Sequence, residues 1–499
     1  MKRIQDGVHG LIEFVGRESL AVEILRTPEL QRLRRIRQLG LASLVFPSAE
    51  HSRFAHAIGA AHLGSRFGSS LQRVTRELLA EGVQVDEEVR RDIVLAGLCH
   101  DLGHGPLSHA WERYVIGGSF DFDEWKRVLG VPDRPWIKKG MQWHELVTQA
   151  CLLTEASGLR SYLDQVEMGL SDRVAAILGD RYYLSYIARL LGSDVDIDRG
   201  DFILRDAIQT GVAYGRYDID WLVSTIGVGF AGSEPVIGFD MAKGPRVVEQ
   251  FLVARRALYD TVYFHKAVRS AEGTVGQLLG LIQDEILAGE WKPVAGFENF
   301  EKALGGKPVE LEVILELDDD VLSIYLDRLA KSDKLAKAKG RKPVINELAR
   351  RIKHRDLLRP LQLGDADLEE FMRDPYRAVE ILKNEVSPYV AGDARYSVYY
   401  SRVAFEFFEK GNKAGYFIDT RDSGRPATLM REHPELFHHP RVEHVLRTLY
   451  VPREAVEPLA KRIRAELRAG GGAGLTLEEG ESLFDKLLAD AAGTAAANQ

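Results

Sequence analysis

The stretch EEVRRDIVLAGLCHDLGHGPLSH, residues 87–109, constrains this chain more than any other. It opens as an amphipathic helix and turns wholly apolar from Ile93 to Cys99. A helix that is apolar all round is buried. His100 and Asp101 therefore leave the end of a buried helix, where a carboxylate is costly unless it is paired or bound to metal. Gly103, Gly105 and Pro106 should end the helix, and a second should start near Ser108. His109 and Glu112, three residues apart, fall on one face of that second helix. A carboxylate beside an imidazole orients it and raises its basicity, which prepares a general acid.

Helical patterns fill most of the remaining sequence. Residues 28–39 carry Leu30, Leu33, Ile36 and Leu39 at a spacing of three behind Pro28. Segments 55–80, 141–155, 181–208, 245–287 and 366–388 also read as helices, and strand patterns are confined to 235–239, 309–316 and 414–420. The chain is predicted to be mainly α. A helical core spans 1–290, a mostly helical region with short strands spans 291–485, and 486–499 is a flexible tail.

The composition, 45% hydrophobic and 28% charged over 499 residues, fits a globular protein with a large core. A net charge of −8 excludes a nucleic-acid-coating protein, although 66 Lys and Arg leave room for a local basic patch. Two cysteines, Cys99 and Cys151, exclude a disulfide framework and a Cys-rich zinc cluster. The opening MKRIQDGVHG lacks the apolar run of a signal peptide, and no stretch of about 18 apolar residues is present. A cytoplasmic protein with no membrane partner is expected.

Seven of the 14 histidines lie between 51 and 144. Imidazole nitrogen and carboxylate oxygen together suit a first-row transition metal, but His100 and Asp101 alone are too few ligands. His56, in RFAHAIGAAHLG, and Asp198, in SDVDIDRGDFILRD, are candidates to complete the set. The plainer reading of His100–Asp101 is a buried hydrogen-bonded pair. For His109–Glu112 it is a helix cap beside a solvated carboxylate, and for His144–Glu145 a surface pair. Phosphates need cations. Arg53 lies three residues before His56, and Lys266 shares a face with Tyr263 near Arg255 and Arg256. A Tyr can stack on a sugar or base while Lys neutralises phosphate. Solvated cations beside core aromatics fit that segment equally well.

The order His56, His100–Asp101, Asp198 resembles the HD-domain phosphohydrolase signature. The strings QLGLASLVFPSAEHSRFAHAIG, GLCHDLGHGPLSHAWE, DIDRGDFILRD and YFHKA, with WHE at 143–145, are more specific. They are similar to the deoxynucleoside triphosphate triphosphohydrolases, above all the SAM-and-HD-domain branch with its dGTP-activated members, here without the SAM domain. The likeness covers residues 1–290 and implies an HD-domain helical core that hydrolyses dNTPs to deoxynucleoside and inorganic triphosphate.

The resemblance also implies roles. His56, His100, Asp101 and Asp198 would hold a divalent transition metal (Fe, Mn or Zn), with Mg on the substrate phosphates. His109 would protonate the leaving 5′ oxygen, oriented by Glu112, while His104 and His144 would contact phosphate or assist. Arg53, Arg199, Arg255 and Lys266 would neutralise the triphosphate. Gln38 and Asp206 would hydrogen-bond the sugar 3′-OH, Leu39 would close over the sugar, and Tyr263 would pack on the deoxyribose. TPELQRLRRIRQLG matches the family's allosteric segment and retains Gln31 and Arg34, which implies an activating nucleotide. Three positions depart from the family. Arg26 replaces an aspartate that reads guanine, Phe202 a tyrosine that touches phosphate, and Phe264 a polar residue at the base edge. A homo-oligomer, most readily a tetramer, is expected. The metal ligands alone also fit an HD phosphodiesterase or nuclease acting on another nucleotide or on single-stranded nucleic acid, or a non-catalytic nucleotide sensor. Gln38, Leu39, Asp206 and Tyr263 favour the dNTP reading, and the complete ligand set with His109–Glu112 argues against a sensor.

Overall fold

The computed structural model describes residues 3–78, 83–117, 120–405, 415–437, 444–469 and 475–489. The fold is mainly α, with small sheets. Seven helices position the site: α1 (Arg53–Glu77), α2 (Glu87–Cys99), α3 (Trp143–Leu153), α4 (Ile197–Thr210), α5 (Pro245–Leu258), α6 (Lys266–Leu287) and α7 (Asp319–Ala330). Asp86 starts α2 by accepting hydrogen bonds from the backbone N–H groups of Glu88 and Val89, both at 2.9 Å. The apolar run then buries every residue from Ile93 to Cys99, as its pattern requires.

α1 lies along α2, and α4 crosses α1. The crossing is close because α1 is rich in small residues. A Cβ on Gly59 would sit 1.8 Å from Asp201 Oδ1 of α4. The turn after α2 rests as tightly on α3. A Cβ on Gly103 would lie 1.9 Å from the carbonyl oxygen of His144, and the Gly103 N–H donates to the Thr148 hydroxyl at 2.9 Å. These two glycines bring His56, His100, His144 and Asp198 together from four separate helices or turns.

The N-terminal hairpin pairs β1 (Arg3–Asp6) with β2 (Gly10–Glu13). A second hairpin, β3 (Ile226–Ala231) with β4 (Glu234–Asp240), belongs to a four-stranded sheet. β5 (Arg359–Pro360) and β6 (Tyr399–Phe405) flank β9 (His444–Val451) in a separate sheet. β7 (Tyr416–Ile418) runs parallel to β4, and β8 (Ala427–Leu429) completes the four-stranded sheet.

The main core extends past residue 290. It includes Phe300, Leu322, Tyr325, Leu348 and Leu357, and a second core begins at Leu361. The last described helix, Leu477–Ala489, docks on the β5–β9–β6 sheet through Glu481, which accepts hydrogen bonds from Tyr400 Oη and Arg447 Nε. The predicted tail at 486–499 therefore begins inside this helix, and residues 490–499 lie outside the described residues. No helix among the described residues is long and apolar enough to cross a membrane.

Several predicted elements differ. The alternating 309–316 segment is a helix, Leu311–Leu315, rather than a strand. Leu311 and Ile314, three apart, point into the core, and packing overrides the period-two pattern. The 245–287 segment is two helices, broken by a wide turn at Tyr259–Tyr263 and restarted where His265 accepts the Ala267 N–H. The 366–388 segment divides at Asp374–Pro375, where proline begins the second helix. In 181–208 only the part from Ile197 is α-helical.

Replacing Gly59 by Ala should push α4 from α1. Overpacking of this kind costs about 1–3 kcal/mol. Denaturant unfolding of the variant should show that loss together with weaker Mn²⁺ binding. Unchanged stability and unchanged metal binding would mean the crossing is not constrained by this contact.

Candidate metal centre and active site

His56 projects from α1, His100 and Asp101 from the end of α2, and Asp198 from the first turn of α4. His56 Nδ1 donates to Asp201 Oδ2 at 2.8 Å, and His100 Nδ1 donates to the Gly97 carbonyl at 2.8 Å. Both partners can only accept, so both Nδ1 atoms carry hydrogen and both Nε2 atoms turn lone pairs inward. The two Nε2 atoms face each other at 3.1 Å. Asp198 Oδ1 lies 3.0 Å from His56 Nε2 and 3.4 Å from His100 Nε2, and Asp101 Oδ1 lies 3.3 Å from His100 Nε2. His56, His100 and Asp101 thus bring three ligand atoms close together, and Asp198 approaches both imidazoles beside them. This set of imidazole and carboxylate groups could hold a divalent cation.

The protonation behaviour agrees. Burial disfavours charge on His56, yet its hydrogen bonds to Asp198 and Asp201 push its pKa up to about 10. His100 is also raised, by Asp101 and Asp198 against the effect of burial. The carboxyl of Asp101 is held well below its usual range: burial opposes ionisation, but Arg53 and His100 outweigh it. Without a cation, the cluster holds a proton in its place.

Asp201 was not among the residues singled out from sequence, and it organises the centre. It is fully buried and accepts from His56, from His9 Nε2 at 2.7 Å, and from Arg205 Nε and Nη2 at 2.8 and 2.9 Å. Arg205 in turn donates to Asp6 at 2.9 Å, which ties the N-terminal hairpin to the metal side of α4. Asp201 and Arg205 share a helix face at i, i+4, and that spacing beside Asp198 was the available signal. Nothing local marks His9.

Next to the metal ligands stand three more imidazoles. His104 stacks on His144 with centroids 4.2 Å apart, and His109 meets His104 edge-on at 4.8 Å. Glu112 joins them. It accepts from His144 Nδ1 at 2.8 Å and from the His144 backbone N–H at 2.7 Å, and reaches His109 Nδ1 only at 3.4 Å. Its carboxyl is held well below the usual range, because the His109 and His144 hydrogen bonds outweigh burial. His104 is pushed well down by burial, with Arg53 and His144 adding to it, so this ring is neutral at pH 7. His109 is the exposed member of the group, 63% accessible at its side chain, and faces outward.

The turn that carries His109 is strained. Leu107 and Ser108 both have φ of +57°. Such conformations cost non-glycine residues about 1–3 kcal/mol each and persist only where surroundings over-determine them. Arg53 contributes, donating to Ser108 Oγ at 2.9 Å and to Asp101 Oδ2 at 2.5 Å.

A second polar group lies farther along α4. Asp198, Phe202 and Asp206 follow one another at i, i+4 and i+8, so Asp206 sits ~12 Å beyond Asp198 along the axis. Asp206 accepts from Tyr263 Oη at 2.6 Å and from His51 Nε2 at 2.7 Å. Phe202 spans the interval, its ring centroid 6.4 Å from both His56 and Tyr263. The Gln38 backbone N–H donates to the His51 carbonyl, and Gln38 Oε1 and His51 Nδ1 are both buried without a hydrogen-bond partner among the described residues. His51 is a further residue that sequence reasoning did not single out. Leu39 packs with Ala42, Ala49 and Val268 next to Gln38.

Other expected contacts lie elsewhere. Arg199 donates to Asp196 at 2.7 Å and to the Ser193 carbonyl, at the start of α4. Arg255 is buried with its guanidinium 5.9 Å from the Tyr259 ring and 5.4 Å from that of Phe405. Lys266 is exposed and lines a cavity of about 600 Å³ with Arg269, Arg355 and Arg359, apart from the histidine cluster. Arg34 lies 3.7 Å over the Phe54 ring and donates to Gln31 Oε1 at 3.0 Å.

Comparison with known proteins gives the class. No family model matches the chain. A solved phosphohydrolase from Bacteroides thetaiotaomicron superposes with a TM-score of 0.66 at 21% identity, covering 90% of this chain and 98% of that one, so the two share a fold. The uncharacterized protein YwfO of Bacillus subtilis is 28% identical over 73% of this chain and 72% of its own length. Human deoxynucleoside triphosphate triphosphohydrolase SAMHD1 is 30% identical over 42% of this chain and 34% of its own. The chain thus spans about a third of that relative's length. Together with the His/Asp cluster, these likenesses support a hydrolase of the HD type.

Two measurements test the centre. Because His56 has its pKa raised to about 10, a metal must displace a proton throughout the neutral range. Apparent Mn²⁺ affinity should therefore rise about tenfold per pH unit between pH 6.5 and 8.5 in calorimetric titration. A flat profile would remove His56 from the ligand set. Asp201→Asn retains all four ligands but loosens His56, and should weaken Mn²⁺ about 10–100-fold. Wild-type affinity would show that the Asp201 contact does not tune the site.

Proposed function

We propose that the protein hydrolyses deoxynucleoside triphosphates to deoxynucleoside and inorganic triphosphate. The observation that carries this reading is the spacing on α4: a four-donor metal cluster at one end and, ~12 Å along, a buried polar group with unsatisfied acceptors. That interval suits the sugar and α-phosphate of one nucleotide. The likeness to the SAMHD1 triphosphohydrolases supports the same substrate class.

His56, His100, Asp101 and Asp198 would hold a divalent transition ion, which when bound supplies a water of lowered pKa and neutralises phosphate charge. The chain's own residues do the rest. Arg53, anchored on Asp101, presents a cation beside the α-phosphate. His109 donates a proton to the departing 5′ oxygen from its exposed position. Glu112 fixes His144 firmly and His109 loosely, so the three-ring stack holds His109 within reach without pinning it. Gln38 and Asp206 hydrogen-bond the 3′-OH, Tyr263 packs on the deoxyribose, and Leu39 occupies the place of a ribose 2′-OH. Gln31 and Arg34 form part of an activating-nucleotide site.

Incubation with Mn²⁺ and each dNTP, singly and mixed, followed by ion-exchange separation, tests this directly. Deoxynucleoside with inorganic triphosphate is expected. Absence of turnover for every dNTP, with metal bound, would reject the substrate class. His100→Ala and Asp101→Ala should lose metal and activity together, whereas His109→Ala should keep metal and lose about 10²–10⁴-fold in kcat. A wild-type rate in His109→Ala would remove it from the chemistry.

A further inference from the structure

We propose that Asp319, the first residue of α7 and 212 positions from Leu107 in sequence, is a positioning residue for His109. Its side chain is buried and divides its two oxygens between two backbone donors. Oδ1 accepts the Leu107 N–H at 2.7 Å, and Oδ2 accepts the Arg37 N–H at 2.8 Å. Leu107 is the first of the two residues held at positive φ, and His109 follows the second. Arg37 immediately precedes Gln38 and Leu39. One carboxylate therefore joins the turn that aims the proton donor to the segment that meets the sugar. Ser108 closes the same junction from the other side, its hydroxyl donating to the Arg37 carbonyl at 3.1 Å.

The neighbouring residues dock the element that carries Asp319. Arg32 donates to the Leu317 carbonyl at 2.8 Å and also to the carbonyls of Leu102 and His104, at 3.2 and 2.7 Å. Asp318 caps α7 and pairs with Arg35 at 2.5 Å. The start of α7 is thus fixed against Arg32, Arg35 and the turn at residues 102–107, and Asp319 is the only side chain among the described residues that hydrogen-bonds the Leu107 N–H. A left-handed conformation at a leucine needs such a restraint. Without it, the turn relaxes and His109 swings away from the leaving oxygen, while the metal ligands, which lie before Leu102 and on α4, keep their places.

The inference rests on His109 being the proton donor, and a double-mutant cycle separates the two. Full-length Asp319→Asn, His109→Ala and the double variant are assayed with Mn²⁺ and dATP, alongside metal content and thermal unfolding. In Asp319→Asn one acceptor oxygen becomes a donor facing an N–H. Its kcat should fall about 10–100-fold, as for a small misplacement of a catalytic group, with metal retained. Because the residue acts through His109, the double variant should be no slower than His109→Ala alone. Additive losses would overturn the positioning role, as would a wild-type kcat in Asp319→Asn. A wild-type kcat in His109→Ala would instead reject the proton donor itself, and the inference with it. If the amide variant does not fold, Asp319→Glu, which keeps both acceptors on a longer stem, enters the same cycle. A partial loss that vanishes in the His109→Ala background is then expected, and an additive or absent loss overturns the proposal.

Discussion

The arrangement depends on one electrostatic constraint: the His56 and His100 imidazoles are held 3.1 Å apart at Nε2, with Asp101 and Asp198 each within 3.0–3.6 Å of both rings. Neutral imidazoles and ionised carboxylates packed this closely need a shared proton or a cation between them, and the scaffold must hold them together. Asp201 is the largest part of that force. By taking four hydrogen bonds it locks the His56 tautomer, anchors Arg205, and pulls the β1–β2 hairpin over the back of the site. The missing side chain at Gly59 allows α4 close enough for this. Metal ligation, helix crossing and N-terminal docking are therefore one problem solved by one carboxylate.

Much of this was legible in the sequence. The apolar run into His100–Asp101 announced a buried charged terminus, and helical phase put His109 and Glu112 on one face. What phase could not convey was strength. Glu112 was expected to serve His109, but its short bonds go to His144, because Gly103 seats the loop directly on α3. Asp201 and His51 stayed hidden because their partners lie at distant positions, Asp201 with His9 and His56, His51 with Asp206. Cations were the hardest to place. Lys266 and Tyr263 share a local pattern, yet the break after Tyr263 turns Lys266 toward another cavity.

The region after residue 290 read from sequence as a separate unit of mixed character. Its first helices instead extend the main core, and only beyond Leu361 does a second core form. The 309–316 segment shows why the division was hard to see. Its alternating letters fit a strand, while three-dimensional packing selects the two residues that fit a helical turn.

The contact between Asp319 and Leu107 has a consequence for the order in which the molecule is made. All four candidate metal ligands precede residue 199, so the whole proposed ligand set is made well before synthesis ends. The carboxylate that restrains the His109 turn emerges 121 residues after Asp198. At translation rates of about 5–20 residues per second that interval lasts on the order of ten seconds. On the proposed roles, the growing polypeptide carries its ion ligands through that interval before the restraint on the His109 turn exists. On that assignment the residues for the ion are made first, and the restraint on the proton donor arrives only with the start of α7.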